Sequence, residues 1–195
     1  CHIMAFSNYI IATLLFIVFF RGDAIVFSST NVEAENFIRT SCGLTTYPAK
    51  CVQSLVPFAS IINKSKRKLT HTALSVSLTK AQSTDEFLHK LAKFRTLEPT
   101  ERSPVADCCQ QIEYTVNKLN ASISELALLG LGKSSRLCIS NMLTWVSAAL
   151  TNENTCLDGF EESVEGRVKS SIRIRLLDAA QATSNALALI NTYFN

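Results

Sequence analysis

Glycine and proline are scarce, six and four in 195 residues. A sandwich or barrel of many short strands needs a turn residue at each reversal, so this scarcity excludes those folds and favours a few long elements with short connections. Charged residues are also few, at 18%, while apolar residues make up 47%, which excludes a disordered chain and supplies enough side chains for a core. The length suits one domain. There are three histidines and no Cys-x-x-Cys, so no zinc-type ligand spacing occurs. Gly-x-Ser-x-Gly, Walker and Gly-x-Gly-x-x-Gly spacings are absent too, which removes the common nucleophile and nucleotide motifs.

Cysteine, by contrast, is plentiful: seven occur, an awkward number for a reduced cytosolic protein. The N-terminus fits an oxidising destination. Tyr9 to Phe20 is an apolar run ended by Arg21, Gly22 and Asp23, too short to span a bilayer and of the length of a signal-peptide core. Met4 reads as the initiator, leaving Cys1, His2 and Ile3 outside the natural chain. Gly22 and Ala24 place small residues for cleavage after Ala24, with Val26 and Ser28 as an alternative site. Residues 1–24 are thus expected to be a signal peptide, against the alternative of a membrane anchor. Without them, 18 basic and 15 acidic residues leave +3, too mild and too scattered for a nucleic-acid binder. The one basic cluster, Lys64, Lys66, Arg67 and Lys68, reads as a solvated connection before a site for an acidic polymer. In an exported chain Asn63 and Asn120 head glycosylation sequons.

Periodicity makes the mature chain, 25–195, all-helical. Thr30-x-x-Glu33 has the spacing of a capping box opening a short helix to about Ser41, with Val32 and Phe37 or Ile38 inward. Gly43 stops it, and Pro48 suits the first turn of the next helix, so 30–63 is expected to form a helical hairpin. A long helix follows from about Leu69 to Phe94, on Leu74, Leu78, Ala81, Leu88 and Leu91. After Pro99, Ser103-Pro104 restarts the chain. Val105, Cys108, Ile112, Val116, Leu119, Ile123 and Leu126 then recur at threes and fours, the seam of a bundle helix. Gly130 and Gly132 end it. Ser134 or Ser135 caps a third helix through Met142, Val146, Ala149 and Leu150, which is expected to end at a polar turn of Asn152, Glu153 and Asn154. A fourth runs from about Val168 to Tyr193 on Ile172, Leu176, Ala179, Thr183, Leu187 and Ile190. Four such helices with short loops imply an up-and-down four-helix bundle over 69–195.

Cys42 and Cys51 enclose one bend and form one natural pair; Cys108 and Cys156, at opposing ends of bundle elements, form another. Cys109 lies about 100° round the helix from Cys108 and is the alternative partner for Cys156. Cys109 and Cys138 otherwise pair together or stay as thiols. No catalytic group stands out. His89 follows Asp85 by four, the spacing of a surface pair, and Glu161, Glu162 and Glu165 read as a solvated helix entry. Polar residues opposite the seam are the candidate partner contacts: Gln110, Gln111, Tyr114, Thr115 and Asn117 on the second long helix, and Asn141 and Thr144 on the third. Trp145 is either core or an exposed anchor.

The Cys42-x8-Cys51 hairpin containing TTYPAKC, the Ala106-Asp107-Cys108 start of a heptad helix, TWVSAALTNENTCLDGF (144–160) and TSNALAL (183–189) together resemble the plant invertase and pectin methylesterase inhibitor family. The resemblance covers essentially the whole mature chain. It implies a secreted, disulfide-stapled bundle with an N-terminal helical hairpin and two disulfides. It also implies no enzyme activity and no cofactor, but a one-to-one complex covering a target enzyme's active-site cleft in the cell wall. The Pro-Lys-Phe motif usual in invertase inhibitors is missing, since no proline lies between Cys109 and Cys156. The resemblance therefore leans to pectin methylesterase as partner, with acid invertase as alternative and a non-inhibitory, pro-region-like module as a further one. Thr155 matches a family threonine at the enzyme contact, and Gln110 stands where the family commonly has glutamate.

Overall fold

The computed structural model describes residues 31–93, 97, 99–132, 134–160 and 166–194. The signal-peptide segment, Thr30 of the capping box and the Glu161–Glu165 cluster lie outside these residues. The described residues form seven α-helices: α1 (31–42), α2 (Pro48–Leu55), α3 (Ala59–Ile62) after a single 3-10 turn, α4 (Lys66–Ala92), α5 (Pro99–Leu128), α6 (Ser135–Asp158) and α7 (Arg167–Phe194). No extended strand occurs among the described residues. The four long helices pack in a ring, α4 on α5, α5 on α6, α6 on α7 and α7 on α4, as expected of an up-and-down bundle.

Local chemistry sets the helix ends. Pro48 starts α2 with its φ already helical and no N–H to satisfy. Ser65 caps α4, its Oγ accepting from Lys68 N at 3.3 Å. The reversal before it runs through Asn63 and Lys64, both left-handed at φ 40° and 59°. Gly130 and Gly132, at φ 84° and 85°, turn α5 into α6 where a Cβ would strain the backbone.

Three expectations need correcting. First, α5 begins at Pro99, not Ser103, with Pro104 inside it; near a helix start Pro104 forfeits only one backbone bond. Second, α6 does not break at Asn152–Asn154. Val146, Ala149, Glu153 and Cys156 are all buried at spacings of three and four, so the inner stripe carries the helix on to Asp158. Third, Val32 is 56% exposed and Ala34 takes its place inside, while Ile38 is buried as expected.

The inner positions of the long helices also differ from the most hydrophobic reading. On α5 Thr115 and Ser122 are fully buried alongside Ile112 and Leu119, while Val116 and Ile123 are only half-buried beside them. A strict three-four alternation passes through the small hydroxyls. These sit inside at little cost because each donates to the carbonyl one turn back, Thr115 to Gln111 O at 3.1 Å and Ser122 to Lys118 O at 3.0 Å. Ser77 and Thr84 take the matching positions on α4.

These polar positions divide the core. One apolar cluster fills the hairpin end and includes Ile38, Leu74, Ala81, Leu119, Met142, Ala149 and Ile190. A second fills the distal end with Leu88, Ile112, Cys156, Ile172 and Leu176, and is plugged by Leu97 and Phe160 from the connections. Between the clusters every long helix contributes a buried polar residue: Thr84, Thr115, Glu153 and Thr183. Disulfides join Cys42 to Cys51 in the hairpin and Cys108 to Cys156 in the distal cluster; Cys109 and Cys138 remain thiols.

The hairpin is docked by polar contacts as well as by its core. The Asn185 side-chain amide accepts from Tyr47 N at 2.9 Å and donates to Tyr47 O at 3.0 Å. Ser41 and Tyr193 share a hydrogen bond of 2.6 Å. The basic cluster is not simply solvated. Lys64 bonds to Glu33 at 2.6 Å, Lys66 lies 5.0 Å over the Tyr193 ring, and Arg67 donates to the carbonyls of Leu126, Ala127 and Leu129 at the end of α5. A guanidinium there satisfies carbonyls that the helix leaves open and opposes its dipole.

Candidate docking face

The α5–α6 pair is an antiparallel hairpin in fixed register. Residue 108 meets 156 through the disulfide. Thr115 Oγ1 meets Ala149 O at 3.2 Å, and Asn141 Nδ2 donates to Glu125 Oε1 at 3.1 Å. Covalent and hydrogen-bonded ties along the length make this pair a rigid plate, which lowers the ordering cost when a partner docks.

Its outer surface is polar along two stripes. On α5 the exposed residues include Gln110, Tyr114 and Asn117, one turn apart, with the carboxylates of Asp107 and Glu113 exposed on the same face. Tyr114 is 48% exposed, and Gln110 Nε2 reaches its hydroxyl at 3.5 Å. On α6 the exposed residues include Thr144, Thr151 and Thr155. Their hydroxyls donate to Ser140 O, Ser147 O and Thr151 O at 2.9, 3.0 and 2.9 Å, leaving the oxygen lone pairs and methyls outward. Thr155 stands beside the half of the Cys108–Cys156 bridge that α6 contributes, the stiffest point of the plate.

Two residues placed on this face by the sequence do not belong to it as free contacts. Thr115 is completely buried and its hydroxyl is spent on Gln111 O and Ala149 O; it is part of the inner layer. Asn141 is half-buried, with its amide turned onto the buried Glu125 carboxylate. Gln111 is half-buried as well, at the rim. Trp145 is half-buried and belongs to neither core cluster.

Glu153, expected in an exposed turn, is the residue that sequence reasoning missed. It is wholly buried, and its Oε1 accepts from Thr183 Oγ1 at 3.0 Å, while Ser77 Oγ donates to Thr183 Oγ1 at 3.2 Å. This chain of three side chains ties α4, α7 and α6 together across the middle of the bundle. Burial pushes the Glu153 carboxyl up to about 8, and the Thr183 hydrogen bond only partly opposes it. Its second oxygen has no hydrogen-bond partner among the described residues. The signal was present in the sequence: 146, 149, 153 and 156 continue the inner stripe.

The sequons differ in setting. Asn63 is exposed in its left-handed turn. Asn120 is exposed on α5, but its amide donates to Val116 O at 3.1 Å and Ser122 of its sequon is buried.

No three His, Cys, Asp or Glu side chains among the described residues are grouped to hold a metal ion, and no described helix is long and apolar enough to cross a membrane.

Comparison with known proteins gives a consistent result. A family model described as plant invertase/pectin methylesterase inhibitor matches residues 36–189. Pectinesterase inhibitor 11 of Arabidopsis thaliana is 47% identical over 168 residues, covering 84% of this chain and 83% of its own. A 21 kDa protein of Daucus carota is 39% identical over 180 residues, covering 91% and 93%. Among solved structures, a mutant form of a pectin methylesterase inhibitor from Arabidopsis superposes with a TM-score of 0.64 at 21% identity, over 77% of this chain and 92% of that one, a likeness of fold.

Proposed function

Because the chain belongs to the plant invertase/pectin methylesterase inhibitor family, we propose that it inhibits a pectin methylesterase by forming a one-to-one complex in which the outer surface of α5 and α6 covers the active-site cleft. It is an inhibitor-family protein and not an enzyme. The observation that carries the reading is the 47% identity, over most of both chains, to a protein named as a pectinesterase inhibitor.

The physical account needs no reactive group. A cleft that accepts a polysaccharide is lined with polar side chains. The α5–α6 plate offers it amides, hydroxyls and one large aromatic, Tyr114, with the Asp107 and Glu113 carboxylates beside them. Gln110, Tyr114, Asn117 and Thr155 form the centre of the contact, with Gln111, Asn141 and Thr144 at its rim. The setting is the cell wall outside the cell; two buried disulfides among the described residues suit an oxidising compartment. Residues 1–24 direct export, and glycan addition falls on Asn63 ahead of Asn120, whose sequon is built into a helix.

The test is to titrate the purified protein into a pectin methylesterase and, separately, into an acid invertase. Loss of esterase activity reaching completion near equimolar protein, with invertase untouched, supports the reading. Slowing of invertase alone transfers it to the other target of the family, and no effect on either leaves a pro-region-like folding module.

A further inference from the structure

The outer surface of α4 and α7 faces away from the α5–α6 plate and is built differently. An open groove of about 1030 Å³ runs between α4, α7 and the α2 arm of the hairpin. Lys50, Lys80 and Arg175 line it, against one carboxylate, Asp178. That carboxylate is committed: Asp178 binds Lys80 closely and Lys50 at 3.5 Å. Burial works against its charge, yet the two ammonium groups hold its carboxyl below the usual carboxylate range. Arg175 lies 4.4 Å over the Phe87 ring, which fixes its guanidinium, and no carboxylate among the described residues is seen paired with it. The groove therefore keeps an excess of positive charge in place. Beside the cations stand two bare aliphatic side chains, Ile174 at 70% and Leu177 at 37% exposure.

We propose that this groove binds a polyuronate, a chain of de-esterified galacturonate residues. Each such sugar presents one carboxylate, several hydroxyls and a C–H face. Arg175, Lys80 and Lys50 answer the carboxylates, the groove amides of Gln53 and Gln181 answer the hydroxyls, and Ile174 and Leu177 receive the C–H faces. An acidic peptide supplies the carboxylates without the stacked C–H faces. The choice of uronate among polyanions rests on the proposed function, since cleavage of methyl esters leaves free carboxylates along the polymer. Because the groove and the plate lie on opposite sides, one molecule can occupy both at once.

Isothermal titration of the intact protein tests this with three probes: a short oligogalacturonate, its fully methyl-esterified counterpart, and an oligoglutamate of equal charge. The free-acid sugar is expected to bind, more weakly as salt is added, and the other two are not. Lys50→Gln combined with Arg175→Gln changes only exposed side chains and is expected to weaken binding about tenfold or more, with the helical circular dichroism unchanged. No binding of the free acid, equal binding of the esterified sugar or of the peptide, or undiminished binding by the double variant overturns the assignment. No esterase is present in the titration, so its outcome is independent of whether the protein inhibits one.

Discussion

On the hairpin side of the Thr84–Thr115–Glu153–Thr183 layer, the described residues bury nineteen apolar or cysteine side chains in one cluster; on the distal side they bury nine. The difference matters because apolar burial is the main favourable contribution to folding, at roughly 25 cal/mol per Å². The larger half draws on three extra short helices and on α1–α4 contacts that are local in sequence. Among the described residues the smaller half draws on the ends of four helices and two plugs, Leu97 and Phe160. Its bridge, Cys108–Cys156, spans 48 positions, whereas Cys42–Cys51 spans 9. A crosslink restricts the unfolded chain more when it closes a longer loop. The stronger staple thus sits in the half with the weaker core, and it sits directly beneath the proposed docking surface.

Breaking the staples separates the halves most sharply. Replacing Cys108 and Cys156 together with Ser is expected to cost about 4 kcal/mol, and replacing Cys42 and Cys51 about 2–3 kcal/mol. Urea unfolding monitored by circular dichroism measures both. Equal losses, or a larger loss at the hairpin, would remove the claimed compensation.

The layer between the halves makes a pH-dependent prediction. Glu153 is protonated in the folded bundle because its carboxyl is raised to about 8 by burial. A raised carboxyl contributes stability that is fully present below its unfolded value near 4.5 and is lost as pH climbs through the folded value. Between those limits the folded chain holds the extra proton, so stability should fall by up to about 1.4 kcal/mol per pH unit. Thermal melts from acid to mildly alkaline pH check this, and Glu153→Gln should flatten the profile. A melting temperature that rises over that range would contradict it.

At the hairpin, Asn185→Ala removes both bonds to Tyr47 and strands the Tyr47 backbone; a loss of about 2 kcal/mol is expected, since each bond contributes about 1 kcal/mol. Hydrogen exchange should accelerate in α1 and α2 and stay slow around Cys108 and Cys156. Uniform acceleration would mean that the halves are not separable. The smallest stability effect belongs to Thr155→Trp, within about 0.5 kcal/mol because the site is exposed, yet inhibition is expected to weaken at least tenfold. Activity assays beside a urea titration give both numbers.

Element order, the hairpin with its Cys42–Cys51 bridge and the bundle class follow from spacing, because a 3.6-residue period and turn residues are local signals. Spacing leaves Cys108 and Cys109 as alternatives for Cys156, and the structure selects Cys108. The misplaced inner positions of the long helices share one cause. Reading inner positions by hydrophobicity chose Val116 over Thr115 and Ile123 over Ser122, although the hydroxyls satisfy themselves on their own helix and fit where four helices crowd together. The same habit put Glu153 in a turn: a carboxyl is expensive to bury, but as a neutral acid held by Thr183 it takes an inner position and lets α6 continue. Hydrophobicity thus points Thr115 to the outer face and Glu153 to solvent, and only the geometry of neighbouring helices reverses both. The Arg67 cap on α5 was hidden for a related reason, since its acceptors lie some sixty positions away.

The most direct test of the central claim is a stoichiometric titration of a pectin methylesterase by the wild-type chain and by a variant carrying Tyr114→Ala with Thr155→Trp, both verified as folded by circular dichroism. Activity should vanish near one equivalent of the wild type and persist well beyond it for the variant. Equal inhibition by the two would place the contact elsewhere than on α5 and α6, and full esterase activity with excess wild type would contradict inhibition altogether.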